Sequence, residues 1–146
     1  SSMSNLGNDY YFQNFYDLPS YRKALDKGVL PIFRGKKLST DDKIRQHATQ
    51  QIRSYFKLDY KNFKDQFDID FQNYFSKEIA YLDNMIKDGL VEVSNNHILL
   101  TELGRDFTQV IMNVFDKYDP PGKTYKDRLE TIKKAKSAQA DILERL

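Results

Sequence analysis

Apolar side chains recur every three or four positions through the middle of the chain, the spacing that places them on one face of an α-helix. The first such segment has a clear start, because Ser39 or Thr40 can cap the helix and acidic residues 41 and 42 suit its dipole. We therefore predict a helix over residues 40–56. Its apolar face holds Ile44, Ala48, Ile52, Tyr55 and Phe56.

Two further helices are predicted downstream. Asp59 can cap a short helix whose aromatic face consists of Tyr60, Phe63 and Phe67. Asp70 can cap the next helix, which Gly89 ends. This third helix has an apolar stripe of Phe71, Phe75, Ile79, Leu82 and Ile86. Because burying each such side chain stabilises the fold by about 1.5 to 3 kcal/mol, the stripe is assigned to the core.

The apolar period then changes from that of a helix to that of a strand. Residues 90–93 and 98–100 flank a turn in which Asn95 and Asn96 can adopt the positive φ that a hairpin needs. Thr101 caps a last helix, with Leu103, Phe107, Val110, Ile111, Val114 and Tyr118 on its apolar face, that ends before Pro120. The order predicts a mainly α fold with a small β-hairpin, of winged-helix-like type.

The flanking segments have weaker patterns. Upstream, Asp17 can cap a short helix with Pro19 in its first turn, followed by an extended stretch over residues 29–34 and a turn at Gly35. Downstream, residues 125–146 are charged and only sparsely apolar, at Leu129, Ile132, Leu143 and Leu146. This tail is predicted to be helical, and it can either dock or remain separate.

Composition excludes several classes of site. The chain has no cysteine, so it cannot form a disulfide or hold an iron–sulphur cluster through its own thiolates. Its two histidines, His47 and His97, are fifty residues apart and have structural explanations, so no metal site is predicted. No apolar run reaches the length that spans a bilayer, and a cytoplasmic location is the default expectation.

The charge distribution argues against nucleic-acid binding. The net charge is only +2, and the would-be recognition segment, residues 70–88, carries two lysines against four acidic side chains. We therefore expect the winged-helix order to serve packing. The most basic stretch lies upstream, where Arg22, Lys23, Lys27, Arg34, Lys36, Lys37, Lys43 and Arg45 face only Asp26, Asp41 and Asp42. This stretch is either a solvated face or a binding surface for a multiply anionic ligand or acidic partner.

Catalytic candidates are few. The Asp41-Asp42 pair is better explained as a helix start, and the chain lacks a phosphate-binding glycine loop, a zinc-protease motif and a Ser/His/Asp arrangement. Most of the ten tyrosines fall on apolar faces, so packing explains them. No residue of the chain is predicted to be catalytic.

Several short motifs in order resemble a known family. Residues 34–45 resemble the RGxxLxxDDxIR segment that opens the C-terminal domain of oxygen-independent coproporphyrinogen III oxidases. Further matches are FKLDY at 56–60, DGLV at 88–91, LT with GR at 100–105, and FD with Tyr118. Upstream, SSMS at 1–4 and Gln13-Asn14 resemble the family's SSxS and QN. The resemblance covers roughly residues 1–118, and the tail after Pro120 has no family counterpart.

The resemblance implies a parent enzyme of the radical S-adenosylmethionine class. Such enzymes hold a 4Fe-4S cluster on a CxxxCxxC motif and oxidatively decarboxylate two propionates of coproporphyrinogen III to give protoporphyrinogen IX in haem biosynthesis. It also implies a division into three parts. Residues 1–37 are expected to be the end of the radical barrel with a connecting segment. Residues 38–119 are expected to form the winged-helix-like domain, and residues 120–146 the charged helical tail. Without cysteine, the chain alone is expected to be inactive and to hold no cofactor.

Three residues receive expected roles from the resemblance. Met3, in the SSxS segment, is expected to contact S-adenosylmethionine through its backbone. Arg22 and Arg34 are expected to lie between the barrel and the C-terminal domain, where they can bind porphyrinogen carboxylates. The expected partners are the radical barrel and the porphyrinogen, without nucleic acid.

Alternative interpretations remain open. The chain can instead be the corresponding domain of a haem-chaperone relative, although the DDxIR segment favours the oxidase. A DNA-binding winged helix belongs to a different class and requires salt-sensitive duplex binding. Scaffold or dimerisation roles for the tail also remain open.

Overall fold

The structure, a computed structural model, describes residues 3–7, 9–118 and 124–145. The chain is mainly helical with two small antiparallel sheets, and it divides into two compact units, Ser1–Gln46 and His47–Leu146. The strands are β1 Met3–Leu6, β2 Tyr10–Asn14, β3 Ile32–Lys37, β4 Lys57–Asp59, β5 Val91–Val93 and β6 His97–Leu100. The helices are α1 Leu18–Asp26, α2 Thr40–Tyr55, α3 Tyr60–Phe67, α4 Phe71–Tyr74, α5 Ser76–Lys87, α6 Glu102–Arg105, α7 Thr108–Val114 and α8 Thr124–Glu144.

The first unit contains a sheet that is larger than predicted. Its strand order is β1-β2-β3, all antiparallel, and α1 lies in the connection between β2 and β3. The predicted cap of α1 is confirmed, since the Asp17 carboxylate accepts a hydrogen bond of 2.8 Å from the Ser20 N–H. The predicted turn at Gly35 is wrong. Gly35 pairs with Phe12 inside β3, where a side chain would sit against the Tyr11 carbonyl.

The second unit contains the predicted hairpin and one further strand. β5 and β6 pair antiparallel as expected, and β4 adds to the other edge of β6, giving the order β4-β6-β5. β4 is only three residues long, too short to show a period in the sequence. It connects directly to α3, whose predicted cap is confirmed by a bond from the Lys61 N–H to the Asp59 carboxylate.

The hairpin turn forms by a different device from the one predicted. Neither Asn95 nor Asn96 has positive φ; among the described residues other than glycine only Phe56 and Asp68 do. Instead, the Ser94 hydroxyl accepts hydrogen bonds from the N–H groups of Asn96 and His97, and the Ser94 N–H donates to the His97 carbonyl. A serine turn therefore closes the hairpin without left-handed backbone.

Phe56 does take the left-handed conformation, with φ of 53°, where α2 turns into β4. Its N–H donates to the Ile52 carbonyl and its own carbonyl accepts from Leu100, so the residue both ends the helix and joins the sheet. The Arg105 guanidinium lies 4.9 Å from the centre of the Phe56 ring, a cation–π contact.

The two helices that were predicted to start after Asp70 and after Thr101 are both interrupted. Phe75, with φ of −103° and ψ of 29°, separates α4 from α5, and Phe107 separates α6 from α7 in the same way. Phe71, Phe75 and Leu82 of the predicted stripe are buried, but Met85 is buried in place of Ile86, which is 40% exposed. Tyr118, predicted for the last apolar face, is exposed.

The core of the second unit is built around phenylalanine rings. Phe71 lies 4.7 Å from Phe63 and 4.8 Å from Phe75, and Phe75 lies 5.3 Å from Phe115, measured between ring centres. All four side chains are buried. Tilted and edge-on ring contacts at these distances stabilise a core beyond area burial alone.

Gly104 allows α6 to approach the start of the hairpin. The Thr101 hydroxyl caps α6 at the Gly104 N–H and donates to the Gly89 carbonyl, which fixes the helix beside Leu90. A Cβ added at Gly104 would stand 1.9 Å from the Leu90 carbonyl oxygen. Only glycine fits there without a movement of the backbone.

We predict that Gly104→Ala lowers the free energy of unfolding by about 3 kcal/mol, because the overlap is with backbone and cannot be relieved by a rotamer change. Urea denaturation of the full chain measures the loss. Gly35→Ala is the control, since the added Cβ would meet its nearest atom at 3.4 Å, an ordinary contact. Equal stability of Gly104→Ala and the parent chain contradicts the prediction.

Candidate functional site

Two of the residues expected to contact ligands, Met3 and Arg34, lie in one strand row of the first sheet, meaning a line of residues that pair across neighbouring strands. Met3 of β1 pairs with Gln13 of β2, and Gln13 pairs in turn with Arg34 of β3. Because neighbouring strands are about 4.8 Å apart, the backbones of Met3 and Arg34 are separated by about 10 Å. The strand pairing thus brings together two positions that are thirty-one residues apart in the sequence.

Gln13 holds the side chain of Arg34. The Arg34 Nε–H donates a hydrogen bond of 2.8 Å to the Gln13 Oε1. Because Gln13 is neutral, this partner orients the exposed guanidinium without neutralising its charge, and a guanidinium has four further N–H donors. Gln13 was known from the sequence only as part of a motif. Its contact with Arg34 depends on strand β2, which the sequence pattern did not predict.

Arg22 lies on a different element. It is exposed on α1, outside the strand row of Met3, Gln13 and Arg34. The described contacts do not join Arg22 to Arg34, and their expected role in binding carboxylates stays a prediction from the resemblance and from their charge.

Much of the basic stretch is paired with acidic side chains. Lys36 lies 3.5 Å from the Asp42 carboxylate, and Arg45 forms an ion pair with Asp41 one turn earlier on α2. Lys43 donates to Asp9, which the sequence count of this stretch did not include, and this bond holds the pKa of the Asp9 carboxyl below its ordinary value. The structure therefore supports a largely solvated, internally balanced face for this part of the stretch.

Asp42 also completes the start of α2. The Ser39 hydroxyl accepts from the Asp42 N–H, while the Asp42 carboxylate accepts from the N–H and the hydroxyl of Ser39. This reciprocal arrangement is a capping box. The interpretation of the Asp41-Asp42 pair as a helix start is confirmed.

His47 has a packing role. Its ring lies edge-on to Phe63 at 5.0 Å and to Phe67 at 5.4 Å, between ring centres, and a ring nitrogen bonds to the Gln51 amide at 2.7 Å. Burial lowers the pKa of the His47 imidazole below its ordinary value. In the described part of the chain, no group of three or more acidic or histidine side chains is arranged to hold a metal ion.

A cavity of about 260 Å³ lies at the start of α3, beside the hairpin turn. Its lining includes Tyr60, Lys61, Lys64 and Asn95. The volume falls below the range of about 300 to 1,000 Å³ that drug-sized ligands occupy.

None of the helices in the described ranges is long and apolar enough to cross a bilayer.

The comparisons with known proteins agree with the motif order. Residues 38–107 match the family model described as the HemN C-terminal domain. The oxygen-independent coproporphyrinogen III oxidase of Helicobacter pylori strain 26695 is 38% identical over 112 residues, which cover 77% of this chain and 24% of the relative. The enzyme of the same name from Pseudomonas aeruginosa is 35% identical over 120 residues, which cover 82% of this chain and 26% of that relative.

A solved structure gives the same result. The Escherichia coli protein described as coproporphyrinogen III oxidase (HemN), a radical SAM enzyme, aligns with a TM-score of 0.73 and 34% identity. The alignment covers 80% of this chain and 26% of that chain. The chain therefore spans about a quarter of the length of the relatives that it matches. The resemblance predicted from the motifs is confirmed: the chain is homologous to the C-terminal domain of oxygen-independent coproporphyrinogen III oxidases.

Proposed function

We propose that this chain is the accessory C-terminal part of an oxygen-independent coproporphyrinogen III oxidase, where it helps to cover and shape the substrate site. The reaction proposed for the longer enzyme is oxidative decarboxylation of two propionates of coproporphyrinogen III to give protoporphyrinogen IX, in the cytoplasm. The proposal is supported by the family match and by relatives that are about four times as long as the matched region. The rest of such an enzyme is then the main partner.

The observation that carries this proposal is the exposed apolar surface of the first unit. Phe15, Tyr16 and Phe33 form a ring cluster, with centres 5.8 and 6.2 Å apart, although Tyr16 is 77% exposed. Leu18, Leu25, Val29 and Leu30 are also exposed. Apolar surface of this kind on a small unit indicates a protein interface. We assign it to the remainder of the longer enzyme.

The proposed division of the chain follows the resemblance. Residues 1–37 are proposed to be the end of the radical barrel with a connecting segment, and residues 120–146 a separate charged tail. For residues 38–119 we propose a winged-helix-like domain. Its support is the order α2, β4, α3, α4, α5 and the β5–β6 hairpin, together with a sheet whose order is β4-β6-β5.

The chain does not fit the iron–sulphur cluster of its family, because a 4Fe-4S cluster is held by cysteine thiolates and the chain has none. The cluster therefore belongs to the rest of the proposed enzyme, and we expect the chain alone to be inactive. S-adenosylmethionine, which supplies the radical in such enzymes, has one proposed contact here, the backbone of Met3. This contact is supported by the position of β1, which pairs with β2 on one side and forms an edge of the described sheet on the other. At such an edge, alternate backbone N–H and C=O groups point away from the neighbouring strand and can bind a ligand.

Arg34 and Arg22 are proposed to bind carboxylates of the porphyrinogen. A guanidinium matches a carboxylate with two parallel hydrogen bonds, and both side chains are exposed. Arg34 has the stronger support, because Gln13 orients it in the same strand row as Met3.

A haem-chaperone relative remains the alternative within the superfamily. The enzyme name shared by the matched relatives favours the oxidase.

In the longer enzyme, we predict that Tyr16 and Phe33 react less with hydroxyl radicals than they do in the isolated chain, by about fivefold or more, because the interface excludes solvent. Footprinting with mass spectrometry measures both rates. Tyr118, also exposed but outside the first unit, is the control. Equal labelling of Tyr16 and Phe33 in both proteins would argue against docking through this surface.

In the longer enzyme, Arg34→Gln is predicted to raise the KM for coproporphyrinogen III about tenfold with little change in kcat, because one charge-assisted contact to bound substrate is lost. Arg22→Gln is predicted to act in the same direction. Lys23→Gln removes a neighbouring exposed positive charge on α1 and serves as the control. An unchanged KM in the Arg34 and Arg22 variants excludes their proposed roles.

DNA binding is the competing function that a winged helix raises, and we predict that it is absent. The α5 segment carries Glu78, Asp83 and the following Asp88 against Lys77 and Lys87, so it repels phosphates. Fluorescence anisotropy with a 20-base-pair duplex at 50 and 150 mM salt is expected to show no binding below about 100 µM. Binding that weakens steeply with salt would restore the DNA-binding interpretation.

A further inference from the structure

Gln51 is the one buried polar residue in the described part of the chain, and it joins three elements of the second unit. Its side-chain oxygen accepts a hydrogen bond of 3.2 Å from the Asp59 N–H, at the end of β4 and the cap of α3. Its side-chain nitrogen lies 2.7 Å from Nε2 of His47, one turn earlier on α2. We call His47, Gln51 and the Asp59 N–H the His47 relay.

The direction of each bond in the relay follows from the backbone. The Asp59 N–H can only donate, so the Gln51 atom facing it must be the oxygen. The Gln51 NH₂ group therefore faces His47, and because that group can only donate, Nε2 of His47 must accept. The relay thus requires a neutral imidazole with its proton on Nδ1.

The surroundings of the imidazole are also suited to the neutral form. Phe63 and Phe67 of α3 contact the ring edge-on, and burial lowers the pKa of His47. The charged side chains on His47's own helix and on the neighbouring elements are as follows: Asp41, Asp42, Lys43, Arg45 and Arg53 on α2, Lys57 and Asp59 on β4, and Lys61, Lys64 and Asp65 on α3. The pKa of His47 is lowered by burial and not by these charged side chains.

We propose that the His47 relay is a proton-sensitive latch that holds the start of α3 against α2. A proton on Nε2 of His47 places two donors against each other. If the Gln51 amide turns over to accept from His47, its NH₂ group then faces the Asp59 N–H, so one of the two bonds is lost in either arrangement. Acidification therefore releases the junction between α2, β4 and α3.

The sign of the pH dependence follows from the lowered pKa. The open state, in which His47 is solvated, binds the proton more readily than the closed state. The closed state is fully favoured above the ordinary histidine pKa of about 6.5 and loses that advantage as pH falls. Each pKa unit between the two states contributes up to about tenfold in the opening equilibrium.

Amide hydrogen exchange on the full chain tests the latch. Between pH 7.5 and 5.5, after correction for the intrinsic exchange rate, the protection of the Asp59 amide is expected to fall several-fold. His47→Gln cannot titrate but retains an acceptor for the Gln51 NH₂ group, so its protection is expected to stay constant. His97→Gln is the matched control, because His97 lies opposite Asp59 in the β4–β6 ladder. This variant is expected to keep the pH response of the parent chain.

Gln51→Glu provides a second test with the opposite sign. A carboxylate at position 51 accepts from both the Asp59 N–H and a protonated His47, so protection is expected to rise as pH falls from 7.5 to 5.5. A purely structural role for Gln51 predicts lower protection at every pH without reversal. The proposal is overturned if His47→Gln keeps the pH response, if His97→Gln removes it, or if Gln51→Glu does not reverse it.

Discussion

The packing of phenylalanine rings against one another is the interaction on which the second unit depends. The rings contact in series, Phe63 with Phe71, Phe71 with Phe75 and Phe75 with Phe115, and so connect α3, the α4–α5 junction and the end of α7. Phe71 and Phe75 are four positions apart, a spacing that brings two side chains together within a helical turn, and the helix itself is interrupted at Phe75, between α4 and α5. Beyond Phe75, α5 buries Leu82 and Met85, and the Gly89 carbonyl that follows the helix accepts a hydrogen bond from the Thr101 hydroxyl.

Local chemistry explains which parts of the fold could be predicted. Asp17, Asp59, Asp70 and Thr101 all cap helices as expected, because a cap depends only on the next few residues. The breaks at Phe75 and Phe107 depend on packing between distant segments, and no local signal distinguishes them from helix interior. Strands β2 and β4 were missed for the same reason, since their partners are remote or their length is too short.

The candidate site shows a similar division. Ordered motifs identified the family, because they require no knowledge of geometry. They did not show that Gln13 orients Arg34, a contact that depends on the register of β2 and β3. The sequence pattern did not predict the His47 relay either. His47 was assigned a structural role correctly, but the hydrogen-bond directions that fix its protonation state require the position of the Asp59 N–H.

The contact between Phe56 and Arg105 gives two separate sequence motifs a common cause. The FKLDY and GR segments are almost fifty residues apart, and the left-handed backbone at Phe56 costs about 1 to 2 kcal/mol that a glycine would avoid. The cation–π contact with Arg105 offsets part of that cost only while both side chains are present. Positions 56 and 105 are thus expected to covary across homologues, so that a substitution at one position is tolerated only together with a substitution at the other.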